Sequence, residues 1–317
     1  MKIKIKLLIF FWISTAFVFS QNLQKVDKIV TNYPHKITNP QKLADRINRD
    51  FKTDIEKARA IYTWIAQNIE YDVKTYYSDN KKSSFSYRTK EEKIIKEKKY
   101  SEKVVRNTLR NSKAICHGYA TLFKKICDLT ALESEFITGS TKNDVRDIGR
   151  NPGNSNHAWN AVKIDNKWYL VDVTWGAGKV GNREFKAEFN DFYFMTDPSI
   201  FFNNHFPDNK KWLLTDKSAS DYKALPLIYS DFYKQKFEIV LPVNGVINFS
   251  TMDTLTIKLK AYSDRFNYAY NNLKYSKKVR VTSENDIVTL LIPIQKRRGA
   301  LTIYHNKKAI LKFKLLP

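Results

Sequence analysis

The stretch of sequence that decides the fold is residues 111–130, NSKAICHGYATLFKKICDLT. Its apolar residues recur at helical spacing and mark one buried face of an α-helix. Asn111 or Ser112 is expected to cap this helix, because short polar side chains accept hydrogen bonds from the first free backbone N–H groups. The pattern therefore predicts a helix that carries Cys116 in its first turn. The apolar residues are Ile115, Leu122, Phe123, Ile126 and Leu129.

A cysteine in the first turn of a helix has a chemically favourable environment. Free backbone N–H groups and the helix dipole stabilise a thiolate there and lower the thiol pKa. A backbone N–H, most simply that of Cys116 itself, can donate to an oxyanion, and Gly118 and Ala120 keep side-chain bulk low near the sulfur. The alternative is that Cys116 is a small buried apolar residue, which is common for a free cysteine.

The second cysteine, Cys127, is predicted to be a core residue in the middle of the same helix. Two residues eleven positions apart on a helix are separated by roughly 16 Å. A disulfide needs Cα atoms within about 7 Å of each other. Cys116 and Cys127 are therefore expected to stay unpaired. Residues 1–20 have the pattern of a secretory signal, which predicts an oxidising compartment, and an unpaired thiol there favours a chemical role for Cys116.

A second stretch, HAWNAVKIDNKWYLVD from His157 to Asp172, is typical of a β-hairpin. Asp165 and Asn166 make a good two-residue turn. With that turn Trp159 lies opposite Asp172, and paired residues share a face with their i±2 neighbours. His157 and Asp172 are therefore expected on one side of the ribbon, within reach of a hydrogen bond. A three-residue turn would place them on opposite faces.

Cys116, His157 and Asp172 form a candidate catalytic triad. Asp172 is flanked by valines, where a carboxylate needs a partner, and an imidazole N–H of His157 supplies one. That contact fixes the tautomer and leaves the other ring nitrogen free to take a proton from the thiol. The alternative for His157 is a surface histidine with ordinary partners. His117 points about 100° away from Cys116 around the helix and is expected to line the pocket.

Neither a cofactor nor a nucleic acid is expected. No set of His, Cys and carboxylate residues has metal-ligand spacing, and no glycine-rich phosphate loop is present, so we predict no metal and no cofactor. The formal net charge of +23 would suit a polyanionic partner, but the positive charge is spread along the chain. An export signal also argues against a nucleic-acid role.

The chain divides into a leader and two predicted domains. Residues 1–20 have a basic start and an apolar run shorter than the roughly 20 residues of a membrane span, and they predict a cleaved secretory signal peptide. An uncleaved N-terminal anchor is the alternative. Residues 21–225 are expected to form a catalytic domain, with a charged insertion at 78–104 that predicts a solvated helix or a mobile segment. Residues 226–317 contain alternating β-type runs that predict a small β-sandwich.

These motifs resemble the transglutaminase-like superfamily, whose members use Cys, His and Asp in this chain order. The matching segments are AICHGYA at 114–120, HAWN at 157–160 and WYLVDVTW at 168–175. FYFMTDP at 192–198, with HFP at 205–207 and Trp212, resembles the kyphoscoliosis-peptidase branch. In that comparison His205 is expected to be structural.

The resemblance covers roughly residues 25 to 225 and implies a papain-like core, in which the nucleophile helix packs on an antiparallel sheet. Together with the all-β sandwich that the strand pattern predicts after it, the expected fold class is α+β. It implies acyl transfer from a peptide or protein amide through a Cys116 thioester, with His117, Trp159 and Trp175 in the substrate pocket. The expected location is secreted or periplasmic, with a cell-envelope protein or peptide as substrate. The alternative is a catalytically silent binding or scaffold module at the cell surface.

Overall fold

The computed structural model describes residues 23–78, 86–271 and 275–317. The chain forms two compact units that interleave along the sequence. The first unit takes the residues up to Ile137 and Ala158–Thr196, and the second takes Thr138–His157 and Asp197–Pro317. The predicted signal peptide lies outside the described residues. Within those residues, no helix has the length and apolar character that crossing a membrane requires.

The first unit contains most of the helices. Helix α3 begins at a capping box, in which the side chain and backbone N–H of Thr53 exchange hydrogen bonds with Glu56. Helix α5 contains the later part of the charged segment. Its first half is largely exposed, and its buried residues, Val105, Thr108 and Leu109, lie in its last turns. The helices are α1 (residues 23–31), α2 (Pro40–Asp50), α3 (Asp54–Asn68), α4 (Val73–Tyr77), α5 (Lys90–Asn111), α6 (Cys116–Leu129) and α7 (Val173–Ala177).

The predicted cap of the cysteine helix was wrong. Helix α6 starts at Cys116 with Ile115 as its N-cap, and no side chain caps it. Asn111 instead ends α5, and Ser112 is the C-cap of α5 in the left-handed conformation, with φ of 50°. Residues 111 and 112 do not cap α6 because two short parallel strands, β1 (Glu70–Tyr71) and β2 (Lys113–Ala114), hold the chain extended just before that helix.

The predicted hairpin is confirmed in its turn and register, but its pairing ends one pair before the expected Trp159–Asp172 pair. Strand β3 (Ser134–Thr141) is followed by β4 (His157–Ile164) and β5 (Lys167–Val171). Strands β4 and β5 pair antiparallel from Ile164↔Lys167 to Asn160↔Val171. Asp165 and Asn166 both have positive φ, at 49° and 61°, as a two-residue hairpin turn requires. Strand β5 also pairs with β8 (Phe194–Thr196), and the exposed hairpin β6 (Gly178–Gly181) and β7 (Glu184–Ala187) precedes β8.

One hydrophobic core holds the helices of the first unit on its sheet. Helix α6 contributes Tyr119, Leu122, Phe123 and Ile126, each fully buried. Val162 and Val171 from the hairpin belong to the same cluster. The predicted α+β core, with the cysteine helix packed on an antiparallel sheet, is therefore confirmed.

The second unit contains β9 (His205–Pro207), which pairs with the last residues of β3, and a sandwich of two sheets. The other elements of this unit are α8 (Pro198–Phe201), α9 (Ala219–Ala224), β10 (Leu227–Ile228), α10 (Ser230–Lys234), β11 (Glu238–Leu241), β12 (Val246–Asn248), β13 (Thr254–Lys260), β14 (Phe266–Tyr270), β15 (Lys277–Lys278), β16 (Arg280–Glu284), β17 (Ile287–Pro293), β18 (Gly299–His305) and β19 (Lys308–Leu316). One sheet has the order β10-β19-β18-β14-β15 with β12 on β19, and the other has the order β11-β13-β17-β16. Their inner faces form one buried core, which confirms the predicted β-sandwich.

Candidate active site

Cys116 is the first residue of α6, as the sequence predicts, and its side chain is half-buried. Ile115 before it is extended, and its carbonyl accepts hydrogen bonds from the backbone N–H groups of Gly118 and Tyr119, at 2.8 and 3.3 Å. The N–H groups of a first helical turn have no acceptor four residues earlier, and they carry the positive end of the helix dipole. This position favours a thiolate at Cys116.

Gly118 lets α6 begin close to its neighbours. A Cβ atom at this position would lie 2.6 Å from Cβ of Ala114 and 2.8 Å from Oγ1 of Thr108. Thr108 belongs to α5 and Ala114 to β2, so two elements press against the first turn of α6. The small residue that the sequence pointed to is therefore required for packing beside the sulfur.

Tyr71 is a neighbour of Cys116 that the sequence reasoning did not single out. It pairs with Ala114, two residues before the cysteine, and its ring stacks on Tyr119 with centroids 6.5 Å apart. Tyr119 lies one turn after Cys116 on the same helix face, and its hydroxyl donates to the carbonyl of Ile69. Burial raises the pKa of Tyr71 above its usual range, and the Cys116 thiol and the Asp172 carboxyl raise it further. The signal that could have found Tyr71 is its place directly after the end of α3.

Asp172 is fully buried and follows β5 directly. Its side chain caps α7 by accepting a hydrogen bond from the backbone N–H of Trp175 at 3.0 Å. The pKa of Tyr62 is raised chiefly by burial, and the Asp172 carboxyl also raises it. Asp172 therefore has a structural task, as a helix cap, that the sequence reasoning did not foresee, in addition to its predicted role beside a histidine.

His157 is the first residue of β4 and is nearly buried, with 9% of its surface exposed. The turn before it is fixed by Asn156, whose Oδ1 accepts a hydrogen bond from the backbone N–H of Thr141 at 2.8 Å. The pairing of β3 with β9 places His205 opposite Thr141, and the His205 ring centre lies 5.7 Å from that of His157. A ring nitrogen of each histidine lies within 4.8 Å of the other.

His205 was expected to be structural, and it is buried and stacked on Phe201 with ring centroids 3.9 Å apart. Its proximity to His157 was missed because the two residues lie far apart in sequence and meet only through strand pairing. The sequence signal was the HFP segment, which the resemblance singled out. The two rings together give the second unit a buried imidazole pair.

The three predicted pocket residues differ in exposure. His117 is half-buried between Tyr100 and Phe136, with ring centroids 5.6 and 5.1 Å away. Trp175 is half-buried and packs edge to face with Tyr193, at 5.4 Å. Trp159 is only 1% exposed, so it offers the least surface to a substrate. Their role as a pocket, like the triad, stays a prediction.

Cys127 is fully buried, as predicted, but it lies in the last turns of α6 and not in the middle of the helix. Burial raises the pKa of its thiol to about 12. The two cysteines do not form a disulfide with each other, as predicted. The helix therefore carries one shielded sulfur and one partly accessible sulfur at a helix N-terminus.

A cysteine at the start of a buried helix, packed on an antiparallel sheet, defines the class of papain-like folds. Comparison with known proteins agrees with that class. Residues 41–173 match the model of the transglutaminase-like superfamily. Kyphoscoliosis peptidase of Homo sapiens is 33% identical over 236 residues, which is 72% of this chain and 33% of that protein. The LIM and transglutaminase domain protein ltd-1 of Caenorhabditis elegans is 26% identical over 242 residues, covering 69% of this chain and 30% of that protein.

The chain belongs to the transglutaminase-like superfamily, in its kyphoscoliosis-peptidase branch. It spans about a third of the length of the curated relatives it matches. Among solved structures, that of a TGase aligns with a TM-score of 0.30 and 16% sequence identity, covering 54% of this chain and 36% of that one. The assignment to the superfamily rests on the sequence matches.

Proposed function

We propose that this protein is a thiol-dependent enzyme that transfers or hydrolyses the acyl group of a peptide or protein amide. The observation that carries the proposal is the start of α6 at Cys116, where a partly accessible thiol meets the N-terminal end of a buried helix. The order of Cys116, His157 and Asp172 along the chain agrees with the superfamily. No cofactor is needed for this chemistry.

In the proposed reaction the Cys116 thiolate attacks the amide carbonyl carbon, and His157 takes the thiol proton. The tetrahedral oxyanion is stabilised by backbone N–H groups at the start of α6. His157 then gives its proton to the leaving amine, and the C–N bond breaks to leave a thioester on Cys116. Water or a second amine attacks the thioester, which releases the product and restores the thiol. Asp172 orients the imidazole of His157.

We further propose that the protein acts outside the cytoplasm, as a secreted or periplasmic enzyme on protein or peptide components of the cell envelope. The basis is the N-terminal sequence of residues 1–20, which has the pattern of a secretory signal. N-terminal sequencing of the protein recovered from its natural host is expected to begin at Gln21. A mature chain that begins at Met1 would contradict the proposal.

The experiment compares the wild-type chain with Cys116→Ala on three substrate classes: peptide bonds, glutamine side-chain amides and cell-wall peptides. Wild type is expected to release amine or ammonia from one class and to form a covalent adduct on Cys116 that mass spectrometry detects. A parallel reaction with an added primary amine separates hydrolysis from transamidation. Equal results for the two chains on all three classes would rule out the proposed activity.

A catalytically silent binding module is the second candidate, and one contact favours it. Helix α5, which the charged segment forms, packs along α6, and its Tyr100 ring lies against His117 at 5.6 Å. Such packing leaves less room for a substrate to reach the first turn of α6. The adduct on Cys116 decides between the two candidates, because a silent module forms none.

A further inference from the structure

A recess lies on the second unit, where the segment around Val145 meets one end of the sandwich. Its volume is about 350 Å³, which is at the small end of the range that small-molecule sites occupy. It lies on the face of β19 that carries Lys314, whereas Phe313 and Leu315 on either side belong to the sandwich core. Nothing in the proposed thiol chemistry uses this recess.

Three cationic side chains from separate segments line the recess: Arg146, Arg298 and Lys314. Arg146 forms an ion pair with Asp144, with Nε and Oδ1 2.8 Å apart. Among the described residues, neither Arg298 nor Lys314 forms an ion pair with a carboxylate. Arg298 and Lys314 therefore bring positive charge to the recess that no ion pair among the described residues offsets.

The hydrogen bond and charge of Asp144 raise the pKa of Arg146, and the charge of Asp147, the other carboxylate of this segment, raises it further. Asp147 accepts hydrogen bonds from the backbone N–H groups of Asn143 and Asp144, at 3.1 and 2.9 Å. Its carboxylate closes a local turn, and Arg146 is the basic residue of that turn. The segment thus presents a fixed shape to the recess.

The floor of the recess is a fixed structure. Ala300 pairs with Lys314 across β18 and β19, and Asn271 exchanges hydrogen bonds with the Ala300 backbone, at 2.8 and 2.9 Å. A Cβ atom on Gly299 would lie 1.7 Å from Oδ1 of Asn271, so only glycine leaves room for that side chain. Lys314 also donates from Nζ to the carbonyl of Ile148 at 3.2 Å, and this hydrogen bond joins strand β19 to the segment that contains Val145 and Arg146.

We propose that this recess binds the phosphate group of a small phosphate monoester, with Arg298 and Lys314 as its principal ligands. A guanidinium presents a planar fork of N–H donors that matches a phosphate, and a lysine ammonium adds a compact charge. The volume of the recess leaves room for an organic body of sugar size beside the phosphate. The proposal is independent of the chemistry of Cys116.

The test is isothermal titration calorimetry on the full chain at constant ionic strength, with glucose 6-phosphate as the probe. Glucose 6-phosphate is expected to bind and glucose is not. Arg298→Ser is expected to weaken binding at least about tenfold, because it removes charged hydrogen bonds to the phosphate. Arg297→Ser is the matched control, since it makes the same charge change one residue earlier, at an exposed side chain that does not line the recess.

Lys314→Gln provides a second variant on a different strand and is expected to weaken binding to a similar extent. Circular dichroism on each variant establishes that the fold is kept. Equal losses in Arg297→Ser and Arg298→Ser would show attraction by net charge and would overturn the site. Absence of glucose 6-phosphate binding to wild type overturns it as well. Glucose 6-sulfate carries one charge fewer and is expected to bind more weakly; equal binding would contradict the assignment to phosphate.

Discussion

Cys116 and Cys127 lie on the same helix, one as its first residue and the other near its end. Cys127 is fully buried among apolar side chains, and burial raises its thiol pKa to about 12. Cys116 is half-buried and lies at the end of α6 where backbone N–H groups and the helix dipole favour negative charge. The residue type is identical, so we expect position on the helix and burial to make the two thiols differ in reactivity.

The largest expected effect is the difference in alkylation rate between the two thiols. In the native chain at pH 7.5, iodoacetamide is expected to modify Cys116 at least about a thousandfold faster than Cys127, because the thiolate is the reactive form. Peptide mapping by mass spectrometry after timed quenching measures both rates.

Cys116→Ala is the control for this measurement and should take up no label on the same timescale. Urea should make Cys127 react, since unfolding exposes its sulfur. Labelling of Cys127 in the native chain at a rate near that of Cys116 would break the comparison. It would mean that the end of α6 opens readily.

Much of the fold followed from local sequence patterns. The helix that carries Cys116, the two-residue turn at Asp165 and Asn166 and the alternating strands of the sandwich are all present. Each depends on neighbours within a few residues, which periodicity and turn chemistry describe. The cap of α6 was mispredicted because residues 113–114 pair with a strand some forty positions earlier, and such a partner leaves no local signal.

The candidate site was predictable in its residue types and less so in its surroundings. Cys116 at a helix start followed from pattern, whereas Asp172 was expected opposite Trp159 within the hairpin and instead follows β5 as the cap of α7. Tyr71, the capping role of Asp172 and the proximity of His205 to His157 all depend on contacts between distant segments. A single sequence shows how far apart residues lie along the chain, whereas these contacts depend on which distant segments pack together in the fold.

A buried cation provides a second test of the rule that burial controls ionisation. Lys142 is fully buried, and burial lowers its pKa to about 7 from an ordinary value of 10.5. Between those values the unfolded chain binds a proton that the folded chain lacks, so folding is favoured increasingly as the pH rises. The slope is at most about 1.4 kcal/mol per pH unit, and the cost of burying the charge is fully present below pH 7.

Lys142→Met removes this titration. The free energy of unfolding of wild type minus that of Lys142→Met is expected to increase by about 2 to 3 kcal/mol between pH 7 and pH 9.5. The variant lacks the hydrogen bonds from Nζ to the carbonyls of Tyr222 and Leu225 at every pH, so their loss shifts the difference in unfolding free energy by the same amount throughout. Urea unfolding at each pH measures the difference, with Lys210→Met, at an exposed lysine, as the control. A difference that stays flat would mean that burial does not lower the pKa of Lys142.

A smaller effect is expected from filling the space at the first turn of α6. Gly118→Ala places a methyl group 2.6 Å from Ala114 and should lower the free energy of unfolding by about 1 to 2 kcal/mol, after allowance for the better helix propensity of alanine. Gly153→Ala is the control, because a Cβ atom there meets nothing within 4 Å. Urea unfolding compares the two variants. If both changes are neutral, the environment of Cys116 is looser than its neighbours indicate.

The smallest effect separates the two tasks of Asp172, the cap of α7 and the charge beside the tyrosines of the first unit. Asparagine caps a helix about as well as aspartate, whereas alanine does not. The free energy of unfolding is therefore expected to be lower for Asp172→Ala than for Asp172→Asn, by about 1 kcal/mol. Urea unfolding of both variants measures this difference, and the alkylation rate of Cys116 in each reports on the loss of charge. Equal stability of the two variants would mean that the hydrogen bond to Trp175 contributes little.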